Sequence, residues 1–191
     1  KITKRIVDVL LSIRAILILL PDFILLSFLI KTGSKGPIIF KQKRIGLYGN
    51  PFWIFKFRSM ITEAEKDGPQ LSSQNDPRIT AIGKFMRKTR LDETPQFFNV
   101  IKGDMAIVGP RPEREYYIEK IVAKAPHYKH VLKVKPGITS WGQIKFGYAE
   151  NVDEMVARLK FDLLYVENMS LSLDVKILFY TAIIMIKGDG K

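Results

Sequence analysis

A proline sits inside the most apolar stretch of the chain, and it limits how the N-terminus folds more than any other residue. Ile6 to Ile30 is rich in aliphatic and aromatic residues, interrupted by Asp8, Arg14, Pro21 and Asp22. As one straight helix the segment would reach about 37 Å, more than the roughly 30 Å hydrocarbon core of a bilayer. Pro21 opposes the straight form. It has no N–H for the carbonyl of Leu17 and its ring clashes there, a cost of about 3 kcal/mol in a helix interior. Ile6 to Leu20 alone would reach only about 22 Å. Lys1, Lys4 and Arg5 precede the segment, and Lys31 and Lys35 follow it. Positive charge at both ends favours keeping both on the cytoplasmic side. Two shapes stay open: a helix that enters, breaks at Pro21 and leaves by the same face, and a spanning helix with a proline kink. The first satisfies both the proline and the charges, with Arg14 snorkelling toward headgroups. A signal peptide fits poorly, since charges interrupt the apolar run and Lys31 follows it.

Charge points to a polyanionic partner. Lys and Arg number 31 against 19 Asp and Glu, a formal net charge of +12 that suits nucleic acid, anionic lipid or a phosphorylated substrate. The 191 residues are enough for one sizeable core. With no cysteine, disulfides and cysteine-held zinc are excluded, and two histidines are a poor basis for a metal site. The first residue is Lys1 rather than Met, as expected either of a trimmed chain or of the C-terminal part of something longer.

Pro37 to Met60 reads as a hairpin. Ile38-Ile39-Phe40 and Phe52-Trp53-Ile54-Phe55 are strand-like, separated by the turn formers Gly46, Gly49, Asn50 and Pro51. A period of two puts Trp53, Phe55 and Phe57 on one face and Lys56 with Arg58 on the other. That basic face is either a solvated surface or a binding face. Thr62 to Arg78 reads as a helix start followed by a mobile loop, and Ile79 to Lys88 as a short amphipathic helix with Ile82, Phe85 and Met86 inward.

Asp92 and Glu93 come next, followed by Thr94-Pro95, a capping hydroxyl and a proline in first-turn position, with Gly103 as the stop. Two readings fit the carboxylates. They complement the positive end of a helix, or, with Arg87, Lys88, Arg90 and Lys102 nearby, they belong to a phosphate site. In Gly109-Pro110-Arg111-Pro112 two prolines restrict the backbone around Arg111. So held, a guanidinium loses little entropy on gripping phosphate, although a rigid loop with a structural arginine fits equally.

Val134 to Gln143 carries a turn at Pro136-Gly137, and His127 and His130 read as surface residues. Asn151 to Val166 is an amphipathic helix by pattern. Ser172 to Ile186 is a nearly all-apolar helix capped by Ser172 and ended by Gly188, either buried or lying in a membrane interface. No Walker loop, Rossmann fingerprint, H-E-x-x-H or Asp-x-Asp occurs.

In order, these blocks resemble the bacterial sugar transferase family, the monotopic phosphoglycosyl transferases. The matching runs are Lys4-Arg5-Ile6-Val7-Asp8 with Pro21, Phe40 to Gly46, Phe55 to Met60, Leu91-Asp92-Glu93 with Pro95-Gln96 and Asn99-Val100, Lys102 to Met105, Val108 to Pro112, and Pro136 to Thr139 with Trp141 and Gln143. The resemblance implies an α+β monotopic membrane protein. Residues 1–36 would be a re-entrant membrane helix, and residues 37–191 a cytosolic catalytic domain with interfacial helices on the inner face of the bacterial inner membrane. It implies transfer of a sugar-1-phosphate from a UDP-sugar to polyprenyl (undecaprenyl) phosphate with release of UMP, in two steps with Mg2+. Asp92 matches the family nucleophile, and Glu93 would assist with protons or the metal, so that both carboxylates are the expected metal contacts. Lys56, Arg58, Arg87, Arg111 and Gln143 are the expected substrate and phosphate contacts. The resemblance is compatible with a homodimer and gives no part to nucleic acid. Leu20 stands where the family has Ser before the proline, Thr94 where it has Leu, and Ser140 and Gly142 where it has Gly and Ala.

Two further readings compete. In one, Asp92 and Glu93 only hold Mg2+ while the lipid phosphate attacks directly. In the other, the chain is a non-enzymatic basic module at a membrane surface, which explains the charge but not paired carboxylates among arginines.

Overall fold

The computed structural model describes residues 2–66, 68–73 and 76–188, an α+β arrangement of helices around two small sheets. The apolar N-terminus forms two helices, α1 (Ile2–Ile18) and α2 (Leu20–Gly33), bent by 61°. The break falls at Leu19, just ahead of Pro21. The proline is accommodated in the first turn of α2, where its missing N–H is one that a helix start leaves without a partner anyway. No single helix among the described residues is long and apolar enough to cross a bilayer, whereas the bent pair passes by length and composition. Leu10, Leu17, Ile24, Leu25 and Phe28 face outward, all more than half exposed.

The other side of α2 is core. Leu26 and Ile30 pack with Phe57 and Met86, and Phe23 meets Phe57 edge-on at 5.3 Å. Arg5 fastens α1 by donating to the carbonyls of Val100 at 2.6 Å and Ile101 at 3.0 Å, where a helix end leaves acceptors open. Lys4 pairs with Asp174 at 2.6 Å.

The expected hairpin is present as β1 (Ile39–Ile45) antiparallel to β2 (Pro51–Phe57), in register from Ile39 opposite Phe57 to Ile45 opposite Pro51. It is longer than the apolar runs indicate, because ladder bonds hold Lys41 to Arg44 in the strand whatever their polarity. Phe52 and Ile54 face the core while Trp53 is exposed, so the core-facing side at this end is not the expected Trp53 side. The basic face is not solvated either: Arg58 is buried and Lys56 largely so.

Residues 62–66 form successive turns rather than the expected helix start. Helix α3 (Ala81–Lys88) begins at Thr80, whose hydroxyl accepts from Gly83 N. Met86 is fully buried as expected, but Phe85 points outward. After α4 (Gln96–Lys102), β3 (Ala106–Val108) pairs in parallel with β4 (Gly137–Thr139). The expected turn at Pro136-Gly137 is instead the start of this strand. A Cβ on Gly137 would stand 2.1 Å from the backbone nitrogen of Gly109, so both glycines permit the two backbones to touch.

The C-terminal part comprises α5 (Glu115–Lys124), α6 (Trp141–Lys145), α7 (Val152–Glu167) and α8 (Leu171–Lys187). Tyr117 and Ile121 of α5 pack with Met155 and Leu159 of α7 in one core, while Val100, Met105 and Val108 pack with Tyr165 and Ile177 in another. The cap of α8 is Ser170, not Ser172. Ser170 is extended and its hydroxyl accepts from Leu173 N, while Ser172 lies within the first turn. Helix α8 is two-sided: Ile177 is fully buried, whereas Leu171, Val175, Phe179 and Ile186 are exposed.

Candidate active site

Asp92 and Glu93 occupy a single 3-10 turn, Leu91–Glu93, between α3 and α4. Arg90 enters it in the left-handed region at φ 57° and folds the chain back after α3. The Thr94 hydroxyl does not cap α4 as expected. It donates to Leu91 O at 2.7 Å and closes the turn, and Pro95 takes the cap position. Gly103 ends α4 with φ 102°, as the sequence indicates.

Asn99 brings this turn against the hairpin. Fully buried, it accepts from Phe55 N at 3.0 Å and donates to Trp53 O at 2.7 Å, and so satisfies the edge of β2 in place of a third strand. Lys56 then meets the turn, its ammonium 2.6 Å from Glu93 Oε1. Arg111 reaches the same oxygen with both terminal nitrogens at 3.5 Å, and the Tyr148 ring lies 5.2 Å from its guanidinium carbon.

The two carboxylates titrate apart. Burial and then the charge of Glu93 push the Asp92 carboxyl up to about 6, against the pull of Lys56, Arg87 and Arg111. Burial would also raise Glu93, but Lys56, Arg111 and Arg90 together outweigh it and hold Glu93 well below the usual carboxylate range. Glu93 is therefore a fixed charge under Asp92, which lines a cavity of about 420 Å³ with Lys56, Arg87 and Arg111. Among the described residues, eight Lys and Arg side chains line this cavity against three acidic ones, an excess that suits a multiply charged anion. One terminal nitrogen of Arg87 is buried there without a protein partner.

The other expected contacts lie as follows. Arg58 reaches the cavity wall, but its terminal nitrogens donate to Ile30 O, Ser34 O and Lys35 O at 3.2, 2.8 and 2.6 Å, closing the end of α2. Gln143 lies in α6, buried, outside the cavity lining, with neither amide atom hydrogen-bonded within the protein. Of the four flanking basic residues, Lys88 is exposed and Lys102 pairs with Asp104 at the far end of α4. The described residues contain no group of three or more His, Cys, Asp or Glu that could hold a metal. Asp92 and Glu93 are thus two carboxylates without a third. That is too few for a protein cage, but it fits Mg2+, which takes one or two carboxylates together with substrate phosphates and water.

Sequence reasoning missed Arg44, Glu113, Tyr148 and Arg158 of the same cavity. For Arg158 a signal existed. It and Asp162 stand four apart in line with the buried Met155 and Leu159, and charged residues on a core stripe need partners.

Residues 1–188 match the sequence model of a family described as bacterial sugar transferase. An Aeromonas hydrophila UDP-N-acetylgalactosamine-undecaprenyl-phosphate N-acetylgalactosaminephosphotransferase is 41% identical over 98% of this chain and 44% of its own length. The Escherichia coli (strain K12) UDP-glucose:undecaprenyl-phosphate glucose-1-phosphate transferase is 41% identical over 95% of this chain and 39% of its own. A Salmonella typhimurium undecaprenyl-phosphate galactose phosphotransferase is 38% identical over 98% and 41%. The chain thus spans roughly two fifths of these relatives, whose names specify three different sugars.

Proposed function

This chain belongs to the bacterial sugar transferase family, and from that premise we propose that it transfers a sugar-1-phosphate from a UDP-sugar to undecaprenyl phosphate through a covalent intermediate on Asp92. The observation that carries the reading is a buried carboxylate pair split in acidity beside Lys56, Arg87 and Arg111 at a cationic cavity.

In the first step an Asp92 oxygen attacks the β-phosphorus and forms a P–O bond. The bond from that phosphorus to the bridging oxygen breaks, and UMP leaves with the oxygen and its electron pair. In the second step a phosphate oxygen of undecaprenyl phosphate attacks the same phosphorus, releasing the Asp92 carboxylate and forming the undecaprenyl diphosphate sugar. Dividing one displacement into two lowers each barrier. Lys56, Arg87 and Arg111 offset the repulsion between the anionic nucleophile and the diphosphate, and stabilise charge growing on the leaving group. Glu93, kept ionised by Lys56, holds that ammonium beside Asp92. Asp92 with Glu93 would hold Mg2+, and the ion would supply further neutralisation of the diphosphate. Arg58 supports the site by fixing the end of α2. The outward apolar surface of α1 and α2 supports a re-entrant placement of residues 1–36, with the remaining residues as the catalytic domain on the cytoplasmic face, where the lipid carrier is met without extraction.

The test is a screen of UDP-sugars against the full-length protein in membranes without lipid acceptor. The accepted sugar should give a burst of UMP equal to the enzyme present and a phosphosugar mass on the peptide carrying Asp92. Asp92→Asn should lower UMP release by about 10³-fold or more. Full turnover in that variant overturns the covalent step. Absence of an adduct, with kinetics that require both substrates bound, replaces it by direct displacement.

A further inference from the structure

The Pro-Arg-Pro segment is followed by a further buried carboxylate that the reaction above does not use. Glu113, 4% exposed, lies between two guanidinium groups, with Arg44 Nη1 at 3.3 Å and Arg158 Nη2 at 2.5 Å. Arg44 belongs to β1 and Arg158 to α7, so one carboxylate joins the hairpin to the C-terminal helices. The same arginine of β1 donates to Pro112 O at 3.1 Å, and Ile45 N donates to Glu113 O at 3.0 Å. From the opposite side Gly137 N donates to Pro110 O at 2.9 Å. The residues on both sides of Arg111 are therefore fixed through their carbonyls, on one side from the backbone of β4 and on the other from the Arg44 side chain and the backbone of β1.

Arg111 itself makes long contacts. Its hydrogen bonds to Glu93 are at the 3.5 Å limit, the Tyr148 ring lies 5.2 Å from its guanidinium carbon, and the charges of Glu113 and Asp92 also act on it. A guanidinium with such long contacts takes its position from its backbone. Glu113 lines the cavity, but a carboxylate repels a diphosphate and offers it no direct contact. Resting on the function proposed above, we propose that Glu113 is a positioning residue: clamped between Arg44 and Arg158, it sets where Arg111 stands relative to Glu93 and to the diphosphate. Neutralising Glu113 removes the carboxylate that both buried cations share, leaving Arg44 only the charge of Glu65 and Arg158 only that of Asp162. They then repel each other and Arg111, and the Pro110–Pro112 segment shifts.

The experiment is a double-mutant cycle on UMP release, in the membrane-reconstituted full-length protein with the accepted UDP-sugar. The four proteins are wild type, Glu113→Gln, Arg111→Lys and the double variant. Positioning through Arg111 predicts that Glu113→Gln lowers kcat/KM by about 30-fold in the wild type but by less than about 3-fold when Arg111 is already Lys, since groups acting as a unit are not additive. Equal penalties in the two backgrounds overturn it, as does a lowered melting temperature with kcat/KM unchanged. Should Glu113→Gln not fold, Arg44→Gln carries the same cycle, because it leaves Glu113 and Arg158 balanced in charge. A wild type that releases no UMP from any UDP-sugar defeats the functional reading itself, whereas an active wild type with additive penalties defeats only the role of Glu113.

Discussion

Burial and Glu93 both favour the proton on Asp92, while Lys56, Arg87 and Arg111 favour its loss, and the balance leaves the carboxyl near 6. Nucleophilic attack needs the ionised form. At limiting Mg2+ the acid limb of kcat/KM for UMP release is therefore expected near pH 6, falling about tenfold per unit below it, rather than near 4 as for an exposed aspartate, and bound Mg2+ should move it down. A pH profile of the burst checks this. The sign for stability is the reverse. The folded state binds this proton more tightly than the unfolded chain, so Asp92 weakens the fold as pH rises from about 4 through 6. Asp92→Asn removes that cost. It is expected to raise the melting temperature at pH 7.5 by about 2–5 °C while abolishing turnover, as measured by a thermal melt. That the dyad mattered was legible in its residue types and neighbours. Which carboxylate would carry the proton was not, because that depends on Lys56 arriving from 37 positions away in sequence.

Among the elements, the junction after α2 shows how a local rule and a distant contact combine. Gly36 sits at φ 128°, and a Cβ there would stand 2.0 Å from Arg58 Nη1, the nitrogen bonded to Lys35 O. Gly36→Ala is thus strained twice: in its own backbone, and by displacing the arginine that closes α2. A fall in melting temperature of more than about 5 °C is expected. Gly33→Ala, with nothing within 4 Å of its Cβ, should change it little. Helices α3, α4, α7 and α8 and the hairpin were readable from spacing and turn residues, with small offsets such as Ser170 for Ser172, whereas α5 and α6 were not read as helices. The β3–β4 pair was not. Three-residue strands have too little pattern to read, and Gly137 is a strand residue only because Gly109 lies against it.

Viewed as a whole, the molecule has two kinds of surface: the outward apolar residues of α1 and α2, and a formal net charge of +12. Insertion and charge attraction respond differently to salt. Binding to vesicles rich in phosphatidylglycerol should exceed binding to phosphatidylcholine alone, and 0.5 M NaCl should narrow that difference without releasing the protein. Cosedimentation measures both. Complete release by salt would mean that the outward face of α1 and α2 does not enter the bilayer.

By itself the sequence determined the break ahead of Pro21, the hairpin, the stop at Gly103 and the presence of a carboxylate pair in basic surroundings. Each of these is set by residues within a few positions of one another, through fixed dihedrals, missing donors and local charge. Only the tertiary structure decided where the charges went. Lys56, in β2, and Arg58, just beyond its end, part company although two apart: one holds Glu93 and the other closes α2. Arg44, Glu113 and Arg158 meet although more than 100 positions separate the first from the last. Such pairings follow from burial, which requires every enclosed charge to find a partner but does not say where in the chain that partner lies.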